Sequence, residues 1–265
     1  MSDRQISKRN AQFQQWETLI ANRNKRHRAG EFLVQGVRPI NLAIEHGWSV
    51  RALLHDADAD LSDWAKGLVS SVATDHVAMS GDLLAELSGK DDGGAELVAV
   101  VEMPPDDLSR IVAGPDFLGV VFDRPSSPGN IGTVVRAADA FGAGAVIVTG
   151  HAADPYDPRA VRASTGSLFA LPVVRQRSHV EVLTWAREAG LEVVGTDESG
   201  DVDIAGHDLT GPTLLVIGNE TSGMSAGWRE SCDAVARIPI SGSASSLNAA
   251  GAATVFLYEA ARQRS

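Results

Sequence analysis

The stretch "RIPISGSASSLNAAGAATVFLYEAARQ", residues 237 to 263, joins a short strand-like run to a long helical pattern through residues that are almost all Ser, Gly, Ala or Asn. Side chains this small leave the main chain uncovered, so its N–H and C=O groups can reach the edge of a flat ring. Tight crossing of one backbone segment over another explains the same residues equally well. Ser245 or Ser246 is expected to cap a helix from about Leu247 to Arg262, whose free N–H groups favour a nearby anion.

Four apolar runs upstream predict strands that are buried on both faces. They are rich in Val, Ile and Leu with little polar interruption, as in parallel sheets that helices cover on both sides. Helical stretches separate them, so the predicted fold is α/β with a parallel sheet, and ligands are expected where loops leave the carboxyl ends of the strands. The runs are "FLGVVFD" (117–123), "GAVIVTG" (144–150), "LEVVGTD" (191–197) and "TLLVIGNE" (213–220).

The first hundred residues show the same alternation with shorter strands, which predicts a separate small α/β unit. The stretch "MPPDDLSRIVAGPD" (103–116) contains three prolines and three acidic residues, as is typical of a linker. We therefore predict an N-terminal helix plus a small domain over 1–105, a linker over 106–116 and a larger domain over 117–265. A chain of 265 residues with 44% apolar and 22% charged residues is long enough for both.

Charge is distributed unevenly along the chain, although the formal net charge is −11. Residues 1–28 contain seven Lys or Arg and two acidic residues, whereas residues 51–110 contain four basic and thirteen acidic residues. A cationic segment on an acidic body predicts a local phosphate contact, because affinity follows the patch rather than the net charge. A solvated, fraying helix over residues 7–28 is the alternative interpretation.

Several functional classes find no support in the sequence. It contains no G-x-G-x-x-G, no P-loop and no H-E-x-x-H motif, which argues against nicotinamide, nucleoside-triphosphate and zinc-protease chemistry. The single cysteine, Cys232, and the lack of a leader favour a reducing compartment, so we expect a cytoplasmic protein. No apolar run approaches the roughly 20 residues that cross a bilayer, and no membrane partner is expected.

Two further segments combine a strand end, a turn and a helix. In "FDRPSSPGNIGTVVRAADAFGA" (122–143), Asn130 lies at the junction of turn and helix, and Arg136 has the fork of donors that binds phosphate. The alternative is that Asn130 caps the helix while Arg136 lies on its solvated face. In "LLVIGNETSGMS" (214–225), glycines beside Asn219 and Glu220 would let the backbone approach a ligand, although an ordinary turn has the same composition.

Taken together and in this order, the three segments resemble the signature motifs of the SpoU (TrmH-like) family of RNA ribose 2′-O-methyltransferases, within the SPOUT superfamily. The resemblance covers about residues 117–263. The phrase "GEFLVQGVRPINLAIEHG" (30–47) resembles the opening of the L30e-like substrate-binding domain that many members carry. The whole chain is similar to the actinobacterial members that methylate 23S ribosomal RNA in avilamycin resistance.

The resemblance implies a C-terminal trefoil knot, which composition would not predict because knots are rare. It also implies a homodimer with its active site across the interface, S-adenosylmethionine as methyl donor, no metal, and RNA, with 23S ribosomal RNA foremost, as substrate. A tRNA ribose methyltransferase and a non-catalytic RNA-binding protein on the same fold are the alternatives.

Family positions transfer onto matching residues of this chain. Glu220 is expected to fix loop amides or Arg136 rather than to act as a base. The implied catalytic residues are Asn130, Arg136, Glu220, Ser246 and Asn248; the implied cofactor-binding residues are Thr196, Gly218, Ile238, Ser246 and Leu247; the candidate RNA-binding residues are Arg23, Lys25, Arg26 and Arg28.

Overall fold

The computed structural model describes residues 4–89 and 95–265, which form two compact units. The first contains the chain up to Pro104 together with Tyr156–Arg162, and the second contains Pro105–Pro155 and Ala163–Ser265. A seven-residue segment from late in the chain is therefore part of the first unit, which the boundaries drawn from the sequence did not anticipate.

The first unit is built on a five-stranded mixed sheet in the order β1-β4-β3-β5-β2. β5 runs antiparallel to both of its neighbours, and the other pairs are parallel. The elements are β1 (Arg4–Ile6), α1 (Ala11–Ala21), α2 (Arg23–Ala29), β2 (Glu31–Gln35), α3 (Val37–Glu45), β3 (Val50–Asp56), α4 (Asp63–Ser71), β4 (Asp75–Met79), α5 (Gly81–Ser88) and β5 (Leu97–Glu102).

The N-terminal helical pattern is divided in two at Asn22. The Asn22 N–H donates to the carbonyl of Thr18 at the end of α1, and the Asn22 side chain accepts from the N–H of Lys25 at the start of α2. The helix predicted over residues 7–28 is therefore two helices. Phe13 and Trp16 of α1 are buried, as their three-residue spacing predicts for one helix face.

The second unit contains a seven-stranded sheet, parallel throughout, in the order β10-β12-β9-β11-β6-β7-β8. All four strands predicted from apolar runs are present, and the α/β class with a parallel sheet is confirmed. The elements are β6 (Leu118–Asp123), α6 (Pro128–Ala140), β7 (Ala145–Thr149), β8 (Val173–Gln176), α8 (His179–Glu188), β9 (Glu192–Thr196), β10 (Val202–Asp203), β11 (Thr213–Ile217), α9 (Ala226–Arg229), β12 (Ala234–Arg237) and α10 (Ala249–Gln263). Between β7 and β8 lies α7 (Pro158–Ser164), most of which belongs to the first unit.

Burial explains why the strands of this sheet read as continuous apolar runs. Every residue of β6, β7 and β11 is buried, so neither face of these strands requires polar side chains. None of the helices that the structure describes has both the length and the apolar content needed to span a bilayer.

The last helix begins two residues later than expected. The Oδ1 atom of Asn248 accepts from the N–H groups of Ala250 (3.0 Å) and Gly251 (3.3 Å), so Asn248 is the N-cap of α10. The prediction that Ser245 or Ser246 caps this helix was wrong. The asparagine lies nearer to the helical pattern, and its side chain is as good a cap as serine.

Candidate functional site

Three loops and one helix of the second unit enclose a cavity of about 520 Å³. The loops follow β9, β11 and β12, so the cavity lies at the carboxyl ends of parallel strands, and α10 forms a further wall. Cavities of this size bind small molecules and cofactors. All five candidate cofactor-binding residues line it: Thr196, Gly218, Ile238, Ser246 and Leu247.

Gly218 has no room for a side chain. A Cβ atom at this position would lie 2.4 Å from the backbone nitrogen of Met224 and 2.5 Å from the carbonyl carbon of Gly223. The loop after β11 closes this tightly because Asn219 and Gly223 exchange backbone hydrogen bonds of 3.0 Å in both directions. Glycine is therefore required here for packing, and the main chain beside the cavity is left uncovered.

The cavity combines an apolar wall with an acidic rim. Ile217, Ile238 and Phe256 supply apolar surface, which suits a flat ring. The carboxylates of Asp197, Glu198 and Glu220 face one guanidinium, that of Arg229, which forms an ion pair with Asp197. The net negative lining favours a ligand that carries positive charge.

Glu220, in the loop after β11, binds the loop after β6 through hydrogen bonds. Its Oε2 accepts from the backbone N–H and the hydroxyl of Ser126, both at 3.0 Å, and its Oε1 accepts from the N–H of Ser127 at 3.2 Å and from Nδ2 of Asn130 at 3.0 Å. Burial, the largest single effect, raises the pKa of Glu220, but these hydrogen bonds together outweigh it and hold the pKa below its ordinary value. Glu220 is thus an ionised anchor for loop amides.

Asn130 is oriented by this anchor and does not cap α6. The cap is Ser127, whose hydroxyl accepts from the Asn130 N–H at 3.4 Å, so the alternative interpretation of Asn130 as the cap was wrong. Because Nδ2 of Asn130 is engaged by Glu220, its Oδ1 remains available to accept a hydrogen bond.

Arg136 lies one and a half turns further along α6, and its side chain is exposed. Within residues 4–89 and 95–265 its guanidinium makes no hydrogen bond or ion pair, and it is not among the residues that line the cavity. The guanidinium of Arg136 is therefore free to bind an anion.

Ser246 and Asn248 are both exposed on the loop that leads into α10. Ser246 lines the cavity, whereas Asn248 does not. The helix cap occupies Oδ1 of Asn248, so its Nδ2 remains as a donor.

Several further residues line the cavity or support its loops and were not predicted from the sequence. Asp197 follows Thr196 directly and could have been found from its position at the carboxyl end of a predicted strand. The side chain of Asn219 bridges two loops, with Nδ2 donating to the carbonyl of Arg124 at 2.7 Å. Arg229 lies in a four-residue helix and carries no local signal. Among the described residues, no group of His, Cys, Asp and Glu side chains is arranged to hold a metal.

The position of Arg26 in the structure contradicts its assignment to RNA binding. It is 1% exposed, and its Nη1 donates to the carbonyls of Leu19 at 2.8 Å and Ile20 at 3.1 Å. Its Nη2 lies 3.7 Å from a carboxylate oxygen of Asp157, which belongs to the late segment of the first unit. The helical turn that exposes Lys25 directs Arg26 inward, where it stabilises the carboxyl end of α1. Arg26 is an interior residue.

The other basic residues of α2 differ in exposure. Lys25 and Arg28 are exposed, while Arg23 is half-buried. The helical period of 3.6 residues places Lys25 and Arg28 on one side, so these two remain the best candidates for a phosphate contact.

The two units and the cavity define an α/β protein with a small-molecule site at the carboxyl edge of a parallel sheet. The SpoU rRNA methylase family matches residues 118–258, and the SpoU L30e-like domain matches residues 10–99. A Streptomyces viridochromogenes protein named 23S rRNA (uridine(2479)-2′-O)-methyltransferase is 61% identical over 266 residues, covering 98% of this chain and 93% of the relative. The chain belongs to the SpoU rRNA methylase family.

Solved structures agree over nearly the whole chain. The SpoU methyltransferase AviRb from Streptomyces viridochromogenes, in complex with the cofactor AdoMet, superposes with a TM-score of 0.93 at 61% identity, covering 97% of this chain and 98% of that one. An AdoMet-bound rRNA methyltransferase from Sinorhizobium meliloti superposes with a TM-score of 0.87 at 29% identity, covering 98% and 97%. The likeness extends through both units.

Proposed function

We propose that this protein transfers a methyl group from S-adenosylmethionine to a ribose 2′-hydroxyl of RNA, with 23S ribosomal RNA as the substrate. The observation that carries the proposal is the convergence of all five candidate cofactor-binding residues on one cavity at the carboxyl ends of β9 and β11. The chain's family and the AdoMet-bound structures of its relatives support the same donor.

The cavity residues suit S-adenosylmethionine in shape and charge. Ile238 and Leu247 offer apolar surface to the adenine ring, and the uncovered main chain at Gly218 allows close approach. The acidic rim complements the positive charges of the sulfonium and the ammonium group. When bound, the donor supplies a methyl carbon that the sulfonium already activates, so the protein must align a nucleophile and accommodate its proton.

Alignment is the main task left to the side chains. Holding two reactants in place can supply about 7 to 11 kcal/mol at best. Arg136 would bind the phosphate next to the target ribose, because a guanidinium stays protonated in proteins and is therefore a poor proton acceptor. Oδ1 of Asn130 would accept from the 2′-hydroxyl, and Nδ2 of Asn248 and the hydroxyl of Ser246 would orient the same group. Glu220 would hold the loop that carries Asn130.

We propose a homodimer in which the partner protomer supplies Arg136. Tyr258 and Val255 of α10 are 54% and 38% exposed, although both are large and apolar. Tyr258 packs edge-on against Phe141, the C-cap of α6, and Arg136 is exposed on the same helix. Burial of this exposed surface against a second copy would bring the unpaired guanidinium of Arg136 to a cavity whose own guanidinium, that of Arg229, is ion-paired with Asp197.

A trefoil knot in the second unit is part of the same proposal. Gly200 is packed so closely that a Cβ atom there would lie 2.7 Å from the carbonyl carbon of Ala236. Close crossing of the chain segments around β10 and β12 is what a threaded loop requires, and the small residues at 241–246 would permit it.

The first unit would bind the RNA, with Lys25, Arg28 and Arg23 contacting phosphates. Because the proposed substrate is ribosomal RNA, we propose a cytoplasmic location. Methylation of 23S RNA would protect the ribosome from an antibiotic that binds near the modified ribose.

The test is to incubate the protein with S-adenosylmethionine and 23S RNA and to map ribose methylation by reverse transcription. A stop at one nucleotide supports the proposal. If the protein methylates tRNA and not 23S RNA, the substrate is tRNA. If calorimetry detects no binding of S-adenosylmethionine, the protein is a non-catalytic RNA-binding protein.

The Arg136→Ala variant tests the assignment of the guanidinium. We expect the affinity of the variant for S-adenosylmethionine to stay within a few-fold of that of the parent protein. Turnover should fall by about 100- to 1000-fold, the usual effect of removing one electrostatic contact to the reacting groups. Arg187→Ala, which removes an exposed arginine from α8, is the matched control and should be neutral. Near-normal turnover in the Arg136 variant would refute the assignment.

A further inference from the structure

The first unit contains a second cavity, of about 550 Å³, lined by residues of α1 and of the sheet. Its floor is apolar and buried, and consists of Ile6, Trp16, Ala52, Val77 and Val100. A floor of this kind excludes water from one face of a flat ligand, and the indole of Trp16 adds an aromatic surface.

Three glutamine side chains line the walls above this floor. Gln5 comes from β1, and Gln12 and Gln15 lie three residues apart on one face of α1. Over the part of the chain that the structure describes, none of the three side-chain amides makes a hydrogen bond. Each amide offers two donors and an acceptor, so the walls present a set of uncommitted groups to a neutral, polar ligand.

The charged residues of this cavity disfavour a phosphate. Glu31 and Asp75 bring two carboxylates, and the single guanidinium, that of Arg51, forms an ion pair with Glu102. Burial is the main cause that raises the pKa of Glu31. Carboxylates accept hydrogen bonds, so the ligand must present N–H groups at its edge. Lys8, which is exposed and two residues before the lining residue Asn10, places a positive charge near the rim.

We propose that this second cavity binds one unstacked base of the RNA substrate, and that a base with adjacent N–H donors, guanine above all, fits it best. An apolar floor with amide and carboxylate walls matches the face and the edge of a nucleobase, while Lys8 would meet the backbone phosphate outside. Sequence-specific RNA recognition uses splayed bases of this kind. The inference rests on the proposed function, since it assigns to the first unit a means of selecting the RNA.

The experiment compares a double variant with a control from the same helix. Gln12→Ala with Gln15→Ala removes two amides from the cavity, whereas Gln14→Ala removes an exposed glutamine of α1 that does not line it. With a 23S RNA transcript as substrate, we expect the double variant to raise KM about tenfold with kcat unchanged, as the loss of two hydrogen bonds predicts. The control should leave both constants unchanged.

A second measurement shows the base directly. We expect saturation-transfer NMR to detect guanosine bound to the parent protein, with a weaker signal for uridine, and the double variant to lose the guanosine signal. An unchanged KM in a folded double variant, or equal signals from guanosine and uridine, would overturn the inference. A parent protein that binds no S-adenosylmethionine and methylates no RNA would instead overturn the proposed function, so the two failures are distinguishable.

Discussion

Glu220 and the helix α2 organise their neighbours in opposite ways. Around Glu220, residues about 90 positions apart in the sequence come together, so that Ser126, Ser127 and Asn130 all donate to one carboxylate. Along α2, residues adjacent in the sequence separate, so that Lys25 points to solvent while Arg26 is buried.

This difference indicates the conditions under which a sequence pattern predicts a functional site. A loop at the end of a buried parallel strand has few directions open to it, because the sheet fixes its start, and motif residues there converge. Successive residues of a helix are rotated by about 100° around its axis, so the side chains of a basic cluster on a short helix point in all directions. Only the packing of the helix decides which of these charges reach solvent. Substitutions in the two regions test this difference.

The largest expected effect is that of Arg26→Ala on stability. Removing a buried guanidinium leaves the carbonyls of Leu19 and Ile20 and the carboxylate of Asp157 without its donors, at a cost of about 3 to 5 kcal/mol in the free energy of unfolding. Arg28→Ala, on the exposed side of the same helix, should change it by less than about 0.5 kcal/mol. Chemical denaturation monitored by circular dichroism measures both, and equal stabilities would contradict the interior role.

The next effect is that of Gly218→Ala beside the cavity. The added methyl group overlaps the main chain of Gly223 and Met224, so the loop must move, at a cost of about 1 to 3 kcal/mol and with loss of donor binding. Gly242→Ala is the matched control, because a Cβ atom there meets nothing within 4 Å. Calorimetry with S-adenosylmethionine distinguishes the two, and normal binding by the Gly218 variant would show that the loop adapts.

Glu220→Gln should have a smaller effect that depends on pH. The amide cannot accept from all the donors that the carboxylate holds, so we expect a loss of about 1 to 2 kcal/mol at neutral pH. The pKa of Glu220 in the folded protein is held below its ordinary value of 4.5. At pH values between these two pKa values, the unfolded chain therefore binds more protons than the folded protein. Parent stability therefore falls as the pH drops through this interval, and the variant should show a flatter profile. Parallel profiles would contradict the anchor role.

The smallest effect concerns the exposed side of α2. Replacing Lys25 and Arg28 with Gln should weaken RNA binding and reduce the slope of log K against log salt by about 0.7 to 0.9 for each phosphate that the variant no longer binds. The fold should be unchanged. Titrations of RNA at several salt concentrations measure the slope, and an unchanged slope would leave α2 as a solvated helix with no role in RNA binding.

Much of the fold of the second unit could be predicted, because the local sequence patterns match the burial of the elements that they form. The run at 213–217 is apolar at nearly every position, and the strand it forms is buried on both faces between two parallel neighbours. Thr196 and Gly218 lie at strand ends, and the family resemblance that implied both as cofactor-binding residues places them on what the structure shows to be one cavity. By contrast, Asn22 divides a helix whose pattern reads as continuous, because one asparagine can end one helix and cap the next.

The sequence by itself determined the α/β class, the parallel sheet and the expectation that a ligand binds at the carboxyl ends of its strands, since periodicity and short motifs act over a few residues. Only the tertiary structure decided that Arg26 is interior, that Asn248 rather than a serine caps α10, and that Tyr156–Arg162 joins the first unit. The physical reason is that a side chain's direction and partners depend on what packs against its element, and residues distant in the sequence supply those neighbours.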